Sequence, residues 1–292
     1  MSTNLAAAVA DFLAYKRALG RKYLTEEATH LLVDFAEQRG VTDLAELTPS
    51  LLDEFVASRR RERSRSFNHL IGVTGSFLDW ATTQQRLDAF HWHAGHRRET
   101  DHRLPFLFDP SQARQLLKAA AALPDYSRGN GRGPTYHAIF ALCYGLGLRV
   151  GEACNLHLED IDTARQLLIV HGGKFGKSRL VPFGPRIGEL LALQLERRRE
   201  QGGAEQGGPL FTFDGRRCVH TGSASETFSR LAAGLAFPVP EGTTAPRLHC
   251  LRHSFAVGCL LRWYREGVDP SARLFQLSTF MGHVDPSSTA ST

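Results

Sequence analysis

Apolar residues recur at helical spacing through the first eighty-odd positions. Leu5, Val9, Phe12 and Leu13 share one helix face, as do Leu31, Leu32 and Phe35. Thr48 followed by Pro49 is a start signal, an N-cap hydroxyl and a proline where no amide hydrogen is needed. Leu51, Leu52, Phe55 and Val56 then line the buried side of a third helix, and Leu70, Val73, Phe77, Leu78 and Trp80 predict a fourth. Residues 88–104 are polar, lack periodicity and run up to Pro105, which predicts a linker. Asp109 and Pro110 open another helix holding Leu116 and Leu117. Residues 129–134, rich in glycine and ending in proline, read as a loop, and a helix follows from Ala138 to Tyr144.

Beyond that helix the period changes. Leu167, Leu168, Ile169 and Val170 form an apolar, partly β-branched run, separated from residues 179–183 by the glycine-rich residues 172–176. That pattern predicts a β-hairpin. Helices resume near Ile187 and again after His249. The expected fold is therefore mainly α with a small antiparallel β-sheet: a helical domain over residues 1–87, a linker over 88–104, and a second domain over 105–292.

Composition narrows the class. The chain has 292 residues, 42% of them hydrophobic, enough to bury two cores. No apolar run approaches the roughly 18 residues of a membrane span, and the N-terminus carries no secretory pattern, so no membrane is expected and the cytoplasm is the expected location. Five cysteines without a Cys-x-x-Cys pair indicate neither a disulfide framework nor a zinc ribbon. His91, His93, His96 and His102 in the linker lack companion cysteines and a helical frame, so no metal is expected there. The net charge is +5. Residues 1–100 balance at 13 basic and 13 acidic residues, so the excess lies in the remainder. Within the balanced half, Arg59, Arg60, Arg61, Arg63 and Arg65 fall inside seven positions, a local positive patch suited to phosphate contact or simply an exposed helix end.

The candidate chemistry is spread over the second domain. Arg149 lies between glycines in Gly145-Leu-Gly-Leu-Arg-Val-Gly-Glu-Ala153, with Glu152 three residues on as a brace. Lys174 sits on the hairpin connection. Residues 172–178 superficially suggest a nucleotide-binding loop, but the glycine such a loop needs five positions before Gly176 is His171, and a strand rather than a helix follows, so no nucleotide is expected. His249 and Arg252 are three apart on one helix face, and His283 follows Gly282 after an apolar stretch. Two arginines, two histidines and a lysine, with no acidic cluster to hold metals, suit a metal-free reaction at a phosphodiester. Arginine forks neutralise the charge of the transition state, and a positioned acid protonates the leaving oxygen.

In order and spacing these residues resemble the boxes of the tyrosine recombinases, the phage integrase family of site-specific DNA recombinases. Residues 147–152 look like the first arginine box, the hairpin like the lysine-bearing turn, residues 249–252 like the His-x-x-Arg box, and residues 280–283 like the Leu-Gly-His box. The resemblance covers about residues 105–292. It implies a catalytic domain there and, by architecture, a helical core-binding (SAM-like) domain before it, the two clamping double-stranded DNA. It further implies recombination or integration, as in mobile elements, through a 3′-phosphotyrosyl intermediate without cofactor, on a DNA-bound homo-tetramer. Arg149, Lys174, His249, Arg252 and His283 would be its catalytic residues, with Lys174 protonating the leaving oxygen.

The family's tyrosine usually follows the last box histidine by nine residues, and here that position is Thr292. No tyrosine follows His283, and Tyr264 lies beyond Arg252 on the same expected helix, which suits packing. The expectation is a C-terminally incomplete recombinase that binds DNA without cleaving it. The alternative is a non-catalytic DNA-binding remnant that competes with or regulates an intact recombinase.

Overall fold

The computed structural model describes residues 3–20, 26–88, 90–98, 103–125, 130–171, 178–201 and 207–282. The chain divides into two compact units, Met1–His102 and Arg103–Thr292, each with its own apolar core.

The first unit contains α1 (Leu5–Ala18), α2 (Glu26–Glu37), α3 (Pro49–Ser58) and α4 (Ser64–Thr83). Thr48 caps α3 through its hydroxyl, which accepts from Leu51 N at 3.2 Å with Pro49 in the first turn. The apolar stripes meet in an aromatic cluster: Phe12 packs on both Phe77 and Trp80 at 5.5 Å between ring centroids. Phe12, Phe55 and Phe77 are fully buried, each contributing about 1.5–3 kcal/mol of hydrophobic stabilisation.

Residues 90–98 differ from the aperiodic linker expected of them. Phe90, Trp92 and Ala94 pack against the first unit's core while His91 and His93 face solvent. This alternation is the period of an extended strand, and it escapes a search for helical spacing. Asn68 fastens the segment by donating to Arg97 O and accepting from Arg97 N, both at 2.8 Å, and Trp92 Nε1 donates to Asp53.

The second unit is built around α6 (Arg132–Gly145), whose buried residues include Tyr136, Ile139, Phe140, Leu142 and Cys143. α5 (Pro110–Ala121), α8 (Pro185–Glu200) and α10 (Leu248–Arg265) pack against it. α6 begins inside the stretch expected to be a loop. Gly131 caps it in the left-handed region, and Pro134 occupies the first turn, where its missing N–H costs nothing. Gly133 lies so close to Ala121 O that a Cβ would sit 2.2 Å from it. α7 (Val150–Cys154), α9 (Thr221–Leu235) and α11 (Pro270–Met281) complete the helices and had no counterpart in the periodicity.

The hairpin forms as predicted, as β2 (Leu167–Val170) antiparallel to β3 (Arg179–Pro182), with Leu168 opposite Val181 and Val170 opposite Arg179. A short β1 (Ile161–Asp162) adds a third antiparallel strand on β2. Among the described residues no helix is long and apolar enough to cross a membrane.

Candidate phosphate-binding site

Of the residues in the predicted boxes, Arg149, His249 and Arg252 lie close together where α7, α10 and the C-terminal end of α11 converge. Gly147 makes the turn that brings Arg149 to this place: its φ is +62°, and a Cβ there would come within 2.5 Å of the Phe255 ring. Arg149 is the N-cap of α7. Its main-chain N–H donates to Glu152 Oε2 at 2.9 Å and its Nη1 donates to Glu152 Oε1 at 2.7 Å, so the two residues are joined at two points. Arg149 Nη2 also donates to Gly282 O at 3.1 Å.

Arg252, in the first turns of α10, is only 2% exposed. Its Nη1 donates to Gly147 O and its Nη2 to Met281 O, the latter at 2.7 Å. Burial and the nearby Arg149 push its guanidinium down to about 9, which still leaves it cationic at neutral pH. His249 stands one helical turn earlier, exposed, with its ring 4.7 Å from that of His253 in a T-shaped contact. Desolvation, His253 and the guanidinium groups of Arg252 and Arg149 lower its imidazole from the ordinary 6.5 to about 4. His249 is therefore a neutral hydrogen-bonding ring before an anion arrives.

Sequence reasoning missed Arg179. Its Nη1 and Nη2 donate to Glu152 Oε1 and Oε2, both at 2.9 Å, and its Nε donates to Phe280 O at 2.9 Å. Glu152 thus accepts four hydrogen bonds, about as many as a carboxylate can take. Burial alone would raise its carboxyl. The Arg179 side chain and the Arg149 main chain outweigh that and hold it at about 2. A signal for Arg179 was present in strand alternation, which puts it on the face of the buried Val181, where a cation needs a partner.

Lys174, His283 and Thr292 lie outside the described residues. Arg59, Arg60, Arg61, Arg63 and Arg65 lie in the first unit at the junction of α3 and α4. Arg60, Arg63 and Arg65 are exposed, whereas Arg61 donates to Ser66 and Arg59 to Leu31 O. Arg97 joins this cluster by stacking on Phe67, 3.8 Å from its ring centroid, and by donating to Arg61 O at 2.7 Å. Among the described residues no group of three His, Cys, Asp or Glu side chains could hold a metal ion.

Chemically, the second-unit cluster offers the partly exposed fork of Arg149, the buried positive charge of Arg252 and a neutral imidazole, with Glu152 as their buried carboxylate, the equipment to receive a tetrahedral anion. The phage integrase family model matches residues 107–292, a span that includes the whole cluster. The candidate integrase/recombinase y4rB of Sinorhizobium fredii is 33% identical over 300 residues, covering 97% of this chain and 90% of that protein. Among solved structures, the Tn1549 transposon integrase in complex with a circular intermediate DNA superposes with a TM-score of 0.67 at 17% identity, covering 99% of this chain and 94% of that one. A lambda integrase tetramer bound to a Holliday junction also superposes at 0.67 and 17% identity, covering 98% and 79% of the two chains. At such identities the structural likeness establishes the fold.

Proposed function

This chain belongs to the phage integrase family of tyrosine recombinases, enzymes that break and rejoin DNA, and from that premise we propose that its second unit grips the scissile phosphate through Arg149 and Arg252. One observation carries the reading: Arg149, braced by Glu152, and Arg252, with His249 one helical turn before it, come from distant parts of the chain and both donate to carbonyls at the end of α11. Arg149, the more exposed arginine, meets the phosphate oxygens with its fork, and Glu152 keeps that fork aimed. Arg252 supplies fixed positive charge from below, and the neutral His249 ring hydrogen-bonds a phosphate oxygen. The first unit acts as the core-binding domain, with Arg60, Arg63 and Arg65 on the DNA backbone.

In the reaction we assign, a tyrosine oxygen attacks phosphorus and the bond to the 5′ oxygen breaks. Lys174 passes its proton to that oxygen, leaving a 3′-phosphotyrosyl link and a 5′ hydroxyl. A 5′ hydroxyl of a partner strand reverses the step and returns the phenol. The energy of the broken ester is held in the link, so no nucleotide is consumed. His283 adds a further donor to the phosphate. The similarity to a lambda integrase tetramer on a Holliday junction supports a four-subunit assembly on DNA.

The polypeptide of residues 1–292 has no tyrosine after Tyr264, and the position nine past His283 is Thr292. Tyr264 is 75% exposed near the far end of α10, twelve residues beyond Arg252. This polypeptide is therefore expected to bind duplex DNA and form no covalent adduct.

A pool of nicked duplexes with randomised cores tests the reading. Residues 1–292 should retain duplex but yield no adduct, and Thr292→Tyr should yield a protease-sensitive 3′ adduct that Arg149→Ala abolishes. An adduct on the unaltered polypeptide, or one that persists without Arg149, would overturn it.

A further inference from the structure

Three consecutive carbonyl oxygens at the end of α11 each receive a different arginine. Phe280 O accepts from Arg179, Met281 O from Arg252 and Gly282 O from Arg149. The last carbonyls of a helix lack intrahelical partners and carry its partial negative charge. These three therefore form a fixed electronegative edge on which cations can be lined up before any DNA arrives. Arg149 and Arg252 belong to the proposed phosphate grip. Arg179 comes from β3, the strand that leaves the hairpin turn, and has no part in that grip.

The geometry points to Arg179 as a positioning residue for the phosphate site: its guanidinium fixes the Glu152 carboxylate and the Phe280 carbonyl together, and so sets the orientation of Arg149. Three features of the structure support this. First, the contact with Glu152 is two-pointed, one nitrogen on each oxygen. Arg149 alone gives each oxygen one bond, the one to Oε2 from its main chain, and the Arg179 fork adds a coplanar second bond to each, which stiffens the plane of the carboxylate. Second, Arg179 faces the protein, with its side chain 12% exposed against 29% for Arg149. All three of its nitrogens are engaged within the second unit, so it acts on Arg149 rather than on DNA. Third, Gly282 ends α11 at φ +69°, and a Cβ there would lie 2.8 Å from Arg179 Nη1. The chain turns away with a glycine where Arg179 closes in.

This inference rests on the proposed phosphate site, and its test separates the two. In the 292-residue protein, the guanidinium nitrogens of Arg149 are followed by 15N NMR. With Glu152 locked, rotation about the Arg149 Nε–Cζ bond is slow and its Nη signals are expected to resolve. Arg179→Gln and Arg179→Lys both remove the fork, the second while keeping the charge, and in both the Arg149 signals are expected to merge while the circular dichroism stays that of the folded protein. On the Thr292→Tyr form, either variant is expected to slow adduct formation at saturating DNA by about tenfold or more, with duplex affinity changed by less than about twofold, because misaligning a reacting group costs rate rather than binding.

Arg149 signals that remain resolved in either folded variant would overturn the positioning role, as would an unchanged adduct rate. If Arg179→Gln does not fold, Arg179→Lys decides. Adducts undiminished by Arg149→Ala would instead sink the phosphate site and leave the Arg179 contact a purely structural one.

Discussion

Glu152 is a buried acid surrounded by three arginines, and its charge is part of what holds the second unit together. Its side chain is 7% exposed, and its carboxyl lies at about 2 against an ordinary 4.5. That displacement corresponds to about 3 kcal/mol of stability for the ionised form. Because the folded value is the lower one, this stability is complete above pH 4.5 and is lost as the pH falls towards 2. Glu152→Gln keeps the shape but leaves Arg149, Arg179 and Arg252 without their counter-charge. It is expected to lower stability at pH 7 by about 2–4 kcal/mol and to flatten the acid limb, read by urea unfolding at a series of pH values. A variant whose stability parallels that of the parent from pH 7 to pH 3 would show that the carboxylate charge does not matter.

At the scale of the elements, α10 is the organising piece of the second unit. It packs on α6, carries His249 and Arg252 at its start, and holds the segment before α5 through Ser254. The Ser254 hydroxyl accepts from Phe108 N at 2.7 Å and donates to Cys250 O at 2.8 Å, so one buried side chain joins α10 to the segment that leads into α5. Ser254→Ala leaves the Phe108 N–H buried without an acceptor. The expected cost is about 1–3 kcal/mol, seen as a lower thermal midpoint, and Ser254→Thr should recover part of it. No change on Ser254→Ala would mean that the two segments are held by apolar packing alone.

Start signals for elements were legible where a cap and a proline coincide. Asp109-Pro110 announces α5, with the Asp109 carboxylate accepting from Ser111 N and Gln112 N. The same pair at Asp269-Pro270 starts α11, and it went unread because the buried positions of that helix are few, Leu277, Ser278 and Met281. α9 escaped for a related reason. Its inner face is Ala224, Thr227, Phe228 and Ala232, small or polar residues that leave a faint hydrophobic stripe.

For the whole molecule, the two units bring cations of different kinds. The site of the second unit uses buried, fixed ones, Arg179 and Arg252. The first has exposed arginines, Arg60, Arg63 and Arg65, with Arg97 brought in from the segment expected to be a linker. Exposed cations that neutralise phosphates release counterions, and each contact contributes about 0.9 to the slope of log affinity against log salt. Replacing Arg60, Arg63 and Arg65 together by alanine is expected to reduce that slope by about 2–3, measured by fluorescence anisotropy on a labelled duplex. A slope equal to the parent's would place DNA elsewhere on the protein.

What the sequence determined by itself was local or pattern-borne. Helical stripes, the apolar run and glycine-rich connection of the hairpin and the cap-and-proline starts all follow from side chains within a few residues of one another, and the ordered boxes named Arg149, Glu152, His249 and Arg252 as a set. Tertiary structure alone decided what those groups do to each other. It spent both Nη groups of Arg252 on main-chain oxygens, pushed the His249 imidazole well below its ordinary range, and brought Arg179 onto Glu152, 27 positions away in sequence. The physical reason is that a charged group's state depends on what lies within a few ångströms of it. For these residues that neighbourhood is assembled by β3, α7, α10 and α11 together, and no single stretch of chain contains it.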